Sequence, residues 1–248
     1  MDLGLSGKVF VITAASGGLG LATAQSLVAE GARVVLVARR AEALSTAVRA
    51  LGGDSASAVP ADLAHPDTAR RAVDAALERW QRLDGAFVSV GGPPKGAVLT
   101  TTDEQWALAF DSVFLAALRV ARAVCGVNCA ATVGFVLSVS AKSPLPDMAP
   151  SNGLRPGLAM LVKQLADELA PSGGRAFALA PGNIATQRMI DLLGHQPTGQ
   201  DAANAGIPMG RLGTPAEFGQ VAAFLLSDAA RYLTGFLLPV DGGMLRTL

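Results

Sequence analysis

Short apolar strands alternating with amphipathic helices along the whole chain predict an α/β fold built on a parallel sheet. Three observations carry that reading. Runs such as Val9, Phe10, Val11 and Ile12 are apolar on both faces, as a strand buried under helices on either side must be. The first run passes directly into a glycine-rich turn, Ser16, Gly17, Gly18 and Gly20, and then into a helical repeat of Leu21, Ala24, Leu27 and Val28. Thr13, Arg39, Asp62, Gly91, Ser138 and Pro181 all fall just beyond predicted strand ends, where open parallel sheets bind their ligands.

The chain has 248 residues and is read as one domain over 1–248. Hydrophobic residues make up 50% and charged residues 16%, leaving apolar surface for a large core and for subunit contacts. A homotetramer or homodimer is expected. Twenty basic residues balance twenty acidic ones, which removes the electrostatic footprint of a nucleic-acid or anionic-membrane binder. No run approaches the roughly 18 apolar residues of a membrane span. The stretch MDLGLSGKVF has no basic segment leading into a long apolar one, so a cytoplasmic protein is expected. Cys125 and Cys129 lie far in sequence from His65 and His195, and no metal site is predicted.

Taken in order, the glycine turn frees backbone N–H groups at the positive end of a helix, a geometry suited to phosphate. Gly31 closes that helix, and Arg33 to Ala38 forms the second strand. A helix from about Ala41 to Leu51 presents Leu44, Ala47, Val48 and Leu51 on one face. A third strand ends near Val59, and Pro66 is placed in the first turn of the following helix, whose stripe is Val73, Ala76, Leu77 and Trp80. Ala86 to Val90 is the fourth strand. Thr102 to Gln105 reads as a capping box opening a long helix to about Val124, and Thr132 to Leu137 is the fifth strand. Arg175 to Ala180, a helix opened by Thr214, Pro215 and Glu217, and a last strand from Phe236 to Val240 complete the pattern.

The spacing of Thr13, Gly18 and Gly20 resembles the T-G-x-x-x-G-x-G turn of the short-chain dehydrogenase/reductase family. So do Asp62-Leu63 after the third strand, the P-G-x-I-x-T of Pro181, Gly182, Ile184 and Thr186, and the ending from Tyr232, Thr234 and Gly235 to Asp241, Gly242 and Gly243. The resemblance runs from Gly7 to Gly243. It implies a Rossmann-type doubly wound sheet of about seven strands in the order 3-2-1-4-5-6-7, holding a nicotinamide dinucleotide. The residues it assigns to that cofactor are Thr13, Ser16, Gly18, Leu19, Gly20, Arg39, Arg40, Asp62, Leu63, Gly91, Pro181, Gly182, Ile184 and Thr186. An acidic residue after the second strand would bind ribose hydroxyls; Arg39 and Arg40 there favour the 2′-phosphate of NADP(H) over NAD(H). Ala14 stands where the family has its first glycine and is expected to fit with a negative φ. Val113 replaces an asparagine that kinks the family's helix.

The same resemblance implies a tyrosine thirteen residues after Ser138 and a lysine four beyond that. The chain has Ser151 and Arg155 there. The segments GGPP at Gly91 to Pro94 and SPLPDMAPSNGLRPG are similar to a divergent ketoacyl-reductase-like subgroup that departs from the usual tetrad. Pro156 is expected to start or kink the next helix and to leave Arg155 in a loop. Three readings stay open: an oxidoreductase of altered proton relay using Ser138, Ser151 and Arg155 on a small carbonyl or alcohol, a non-catalytic NADP(H)-binding sensor or scaffold, and a fold whose nucleotide site is lost. Residues 187–210 are expected to form a mobile lid whose Met189, Ile190, Leu192 and Leu193 wall an apolar pocket.

Overall fold

A computed structural model of the chain describes residues 2–247. The sheet begins with β1 (Val9–Thr13), β2 (Arg33–Ala38), β3 (Ala56–Pro60) and β4 (Gly85–Val88). It continues through β5 (Thr132–Val136), β6 (Arg175–Pro181) and β7 (Leu237–Val240). Among the described residues these seven strands form one sheet in the order β3-β2-β1-β4-β5-β6-β7, every pairing parallel. The predicted architecture is the one observed. Val11 sits between Val35 of β2 and Ala86 of β4, so the order of connection reverses on either side of β1.

Alternation along β1 feeds two cores at once. Val9 and Val11 point into one layer with Val73, Val120, Leu158 and Val162; Phe10 and Ile12 point into the other with Leu27, Leu44, Phe177 and Phe218. The first layer is covered by α3 (Thr68–Trp80), α5 (Ala116–Val127) and α6 (Ala149–Leu169). The second is covered by α1 (Gly18–Ala29), α2 (Ala41–Leu51) and α9 (Pro215–Leu226). Thr214 caps α9 with its hydroxyl while Glu217 reaches back, as its sequence predicts. α4 (Asp103–Ala109) precedes α5, and α7 (Gln187–Leu193) and α8 (Gly199–Asn204) follow β6. Ala202 and Ile207, within residues 187–210, form a small core with Leu212, packed by Met189, Ala205 and Met244. Among the described residues no helix is long and apolar enough to cross a membrane.

Four expectations are corrected. Ala14 adopts φ 50° rather than a negative value. The chain leaves β1 so sharply that Ala15 N–H still reaches Val37 O at 3.2 Å, and Gly20 lies so close that a Cβ there would stand 2.8 Å from the carbonyl oxygens of Thr13 and Ala14. Pro156 neither begins nor breaks α6, which runs through it. The ring is on the exposed face of the helix, away from the core. Leu158, Val162, Ala166 and Leu169 lock the opposite face to the sheet, and Arg155 is therefore helical and buried. Pro66 lies before α3, whose N-cap is Asp67. β4 ends at Val88, which releases Ser89 and Val90 from the ladder. Between α4 and α5 the helix widens into a π-turn at Phe110–Leu115 with Val113 fully buried, so the distortion persists without the asparagine.

The positive φ at Ala14 gives a stability prediction. Ala14→Gly relieves steric strain of about 1–2 kcal/mol but loosens the unfolded chain, so a gain of up to about 1 kcal/mol is expected. Ala14→Val should cost about 2 kcal/mol or more, because a β-branched residue tolerates this region worst. Urea midpoints of the three proteins measure this; a valine variant as stable as the parent would show that the turn carries no strain.

Candidate active site

At the carboxyl ends of the strands, where the connections diverge, two adjoining cavities of about 430 Å³ each share Ala14, Ser16, Arg40, Ser89, Val90, Gly92 and Pro93. They form one elongated cleft. The outer part is walled by Arg39, Asp62, Leu63 and Gly91, the inner part by Gly18, Leu19, Gly20, Ser138, Ser151, Arg155, Pro181, Gly182, Ile184 and Thr186. Every sequence-predicted site residue but one is therefore brought to this cleft.

The exception is Thr13, which lines neither cavity. Its hydroxyl donates to Ser89 O at 2.5 Å and accepts from Ser89 N–H at 2.8 Å. It ties the end of β1 to the end of β4 and has no proton left to donate to a ligand. Gly17 caps α1 without a side chain, so the first N–H groups of that helix are not satisfied by any cap. Asp62 holds its own turn: its carboxylate accepts from Ala64 N–H at 3.0 Å and its carbonyl from the Thr68 hydroxyl at 2.5 Å. Arg39 and Arg40 are exposed, and their guanidinium groups have no hydrogen-bond or ion-pair partner among the described residues. Gly182 is pinned by Gly182 N–H to Val240 O at 3.0 Å, with no room for a Cβ against Asp241. Thr186 caps α7 by accepting from Met189 N–H at 3.3 Å.

At the inner end Ser138 Oγ accepts from Ser140 N–H at 3.1 Å, which leaves its own proton free to donate. Ser140 and Ser151 hydroxyls are 2.9 Å apart and both residues are buried. Arg155 is 6% exposed; its Nη1 donates to Val136 O at 2.9 Å and Leu137 O at 2.8 Å, while its buried Nε has no partner. Burial first, and the positive charge of Arg188 second, pull its pKa down to about 10, so it stays charged at neutral pH. Arg175 is equally buried but spends its guanidinium on the carbonyls of Ala230, Leu233 and Ser227. That arginine clips the carboxyl-terminal segment to the sheet. Arg155 faces the cleft instead.

Sequence reasoning missed Ser140, Gly92, Met148 and Arg188. Ser140 and Met148 carried no spacing signal. Arg188 is the first cation after the P-G-x-I-x-T segment, and its position there was the available clue. Its guanidinium lies in the space a Cβ on Gly92 would occupy, a contact across two loops that no local pattern encodes. The chain's one tyrosine, Tyr232, is 99% exposed and lines neither cavity.

A family model described as enoyl-(acyl carrier protein) reductase matches residues 13–245. An uncharacterized oxidoreductase of Mycobacterium bovis is 36% identical over 247 residues, covering 96% of this chain and 97% of its own. The L-sorbose reductase of Gluconobacter frateurii, solved with NADPH and L-sorbose, superposes with a TM-score of 0.93 at 31% identity over 100% of both chains. A short chain oxidoreductase of Pseudomonas aeruginosa PAO1, solved with NADPH and described as containing an atypical catalytic center, superposes with a TM-score of 0.90 at 29% identity. It covers 97% of this chain and 98% of that one.

Arg155 provides the test of whether the inner end is built for function. Burying a cation without an anionic partner costs the folded state several kcal/mol, a cost that an apolar side chain of similar length removes along with two hydrogen bonds to carbonyls. Arg155→Met should therefore keep or raise the thermal midpoint. A loss of about 3 kcal/mol would mark Arg155 as a structural clip like Arg175.

Proposed function

The chain belongs to the short-chain dehydrogenase/reductase family, and we propose that it is an NADP(H)-dependent oxidoreductase of a small carbonyl or alcohol whose proton relay differs from the family's tyrosine and lysine. The observation that carries the reading is the single cleft joining an uncapped helix end, two unpaired arginines and a serine with a free hydroxyl proton. The donor set fits the cofactor. N–H groups at the start of α1 suit a pyrophosphate, and Arg39 and Arg40 beside the outer cavity suit a 2′-phosphate. The L-sorbose reductase and the Pseudomonas oxidoreductase, both solved with NADPH, support the same choice.

When bound, the cofactor supplies or accepts the hydride. Ser138 is the group proposed to hold the substrate oxygen, since its hydroxyl has a proton to give. Arg155, anchored on the carbonyl just before Ser138, adds positive charge where negative charge develops on that oxygen. Ser151 is buried against Ser140 and, as an aliphatic hydroxyl, is far too weak an acid to replace a phenol. Its proposed role, with Ser140 orienting its hydroxyl, is to hand its proton to the substrate oxygen while taking one from cleft water, which is left as hydroxide. Met148, Met189 and Leu192 make the inner wall apolar, and residues 187–210 act as the lid of a single domain. The groove between α5 and α6, walled by Leu118, Leu161 and Leu165, supports a homodimer or homotetramer, which we place in the cytoplasm.

Calorimetric titration with NADPH and NADH tests the cofactor choice. NADPH should bind more tightly, and Arg39→Ala should weaken it by about 10-fold or more, the worth of one charge-assisted hydrogen bond, while leaving NADH unaffected. Binding of neither nucleotide would leave the protein without this function. Ser138→Ala should lower turnover by about 100-fold with little change in NADPH affinity; tight NADPH binding without turnover of any carbonyl compound would make the protein a sensor.

A further inference from the structure

Three arginines and no acidic residue line the inner cavity: Arg40, Arg155 and Arg188. Arg40 also borders the outer cavity, where the cofactor's phosphates have their partners. The other two need a different explanation. Arg155 is buried beside Ser138 with its Nε unsatisfied. Arg188 comes from α7 on the opposite rim, an exposed residue whose guanidinium is seated over Gly92 and has no hydrogen-bond or ion-pair partner among the described residues. The positive charge of Arg188 reaches Arg155 and adds to the effect of its burial. Like charges brought together without an intervening carboxylate oppose the folded state. A guanidinium that is planar, charged and unpartnered at a cavity wall is suited to a bidentate anion.

We propose that the substrate is an oxo acid or hydroxy acid, and that Arg188 grips its carboxylate while the positive charge of Arg155 deepens the attraction. The proposal rests on the nucleotide-binding reading above and names the substrate class of that same site. The cavity's size points to a compact acid, because about 430 Å³ must also admit the reacting end of the cofactor. Met148, Met189 and Leu192 give the carbon chain an apolar wall. Gly92 belongs to the design: a side chain there would occupy the place of the Arg188 guanidinium. Arg188 contributes specificity rather than chemistry, since the hydride and the proton move at the carbonyl or carbinol group by Ser138 and not at the carboxylate.

The test titrates acetoacetate and 2-oxobutanoate, each against its methyl ester, into protein saturated with NADP⁺, where binding is read without reduction. The acids should bind about 10-fold or more tightly than their esters, as one charge-assisted bidentate contact predicts. Arg188→Met should remove that preference, Arg188→Lys should restore part of it, and Gly92→Ala should weaken the acids several-fold with every charge still in place. NADPH affinity is measured on each variant. Unchanged NADPH binding with lost acid preference supports the assignment. Esters binding as well as acids to a protein that holds NADPH would overturn it and leave the nucleotide reading standing. Arg188→Met weakening NADPH as much as the acids would overturn it by making Arg188 a cofactor contact. Absence of nucleotide binding in the parent protein would overturn both.

Discussion

The hydroxyl of Thr13, joined to both backbone groups of Ser89, is the contact on which the cleft depends. β1 and β4 are neighbours in the sheet, but their chains leave in opposite directions, α1 covering one face and the α4–α5 helix the other. Beyond Val88 there is no ladder to hold them together. A buried hydroxyl that donates to the carbonyl and accepts from the N–H of one residue replaces the missing rung. It fixes how far the strands part, and thus how wide the mouth is between Ala14 on one side and Ser89, Val90 and Gly92 on the other. The strain at Ala14 follows from the same constraint. The chain must turn within one residue of Thr13, and Gly20 must approach so closely that only a glycine fits.

Charge is distributed with a matching economy. Two arginines are buried to the same extent, and their hydrogen bonds separate their roles. Arg175 meets three carbonyls from the segment between α9 and β7, a contact that closes the sheet edge. Arg155 meets two carbonyls at the end of β5 and leaves an N–H unsatisfied beside the cavity. Desolvating a cation without an anionic partner is unfavourable, and α6 does so at a position where its helix also tolerates an interior proline. Local imperfections gathered at one end of one helix are the pattern expected where function, rather than stability, sets the sequence.

The fold was legible because its signals are local. The helix Ala41–Leu51 and the capping box of Thr214 and Glu217 were read from apolar period and turn chemistry alone, and both stand where the structure has them. Strand ends marked the cleft, since ligands of a parallel sheet must sit there. What escaped the sequence is what only tertiary packing decides. Pro156 signalled a helix boundary, but the grip of Leu158 and Val162 on the sheet overrode it. Ala14 was assigned the backbone its side chain prefers, and the approach of Gly20 imposes another. Thr13 reads as a ligand by its place in the motif, whereas its hydroxyl is consumed by Ser89. Arg188 acquires meaning only when α7 is folded against Gly92.

In the proposed reaction the serines at the inner end keep the form of a proton relay without its acid. A phenol stores a proton at an accessible pKa and releases it in the rate-limiting step; an aliphatic hydroxyl cannot store one but can hand one on as it receives another. Ser140 and Ser151 are paired at 2.9 Å with either able to donate, and Ser140 N–H holds Ser138 Oγ as an acceptor. The Ser138 proton is thereby left to point at whatever enters the cavity. In the proposed reaction the donor is then water reached through the cleft, and the serines set direction rather than acidity. Arg155 contributes by remaining charged at neutral pH despite its burial. A permanently charged group next to the forming alkoxide lowers the barrier without titrating, so the driving force comes from electrostatics that are fixed before the substrate arrives.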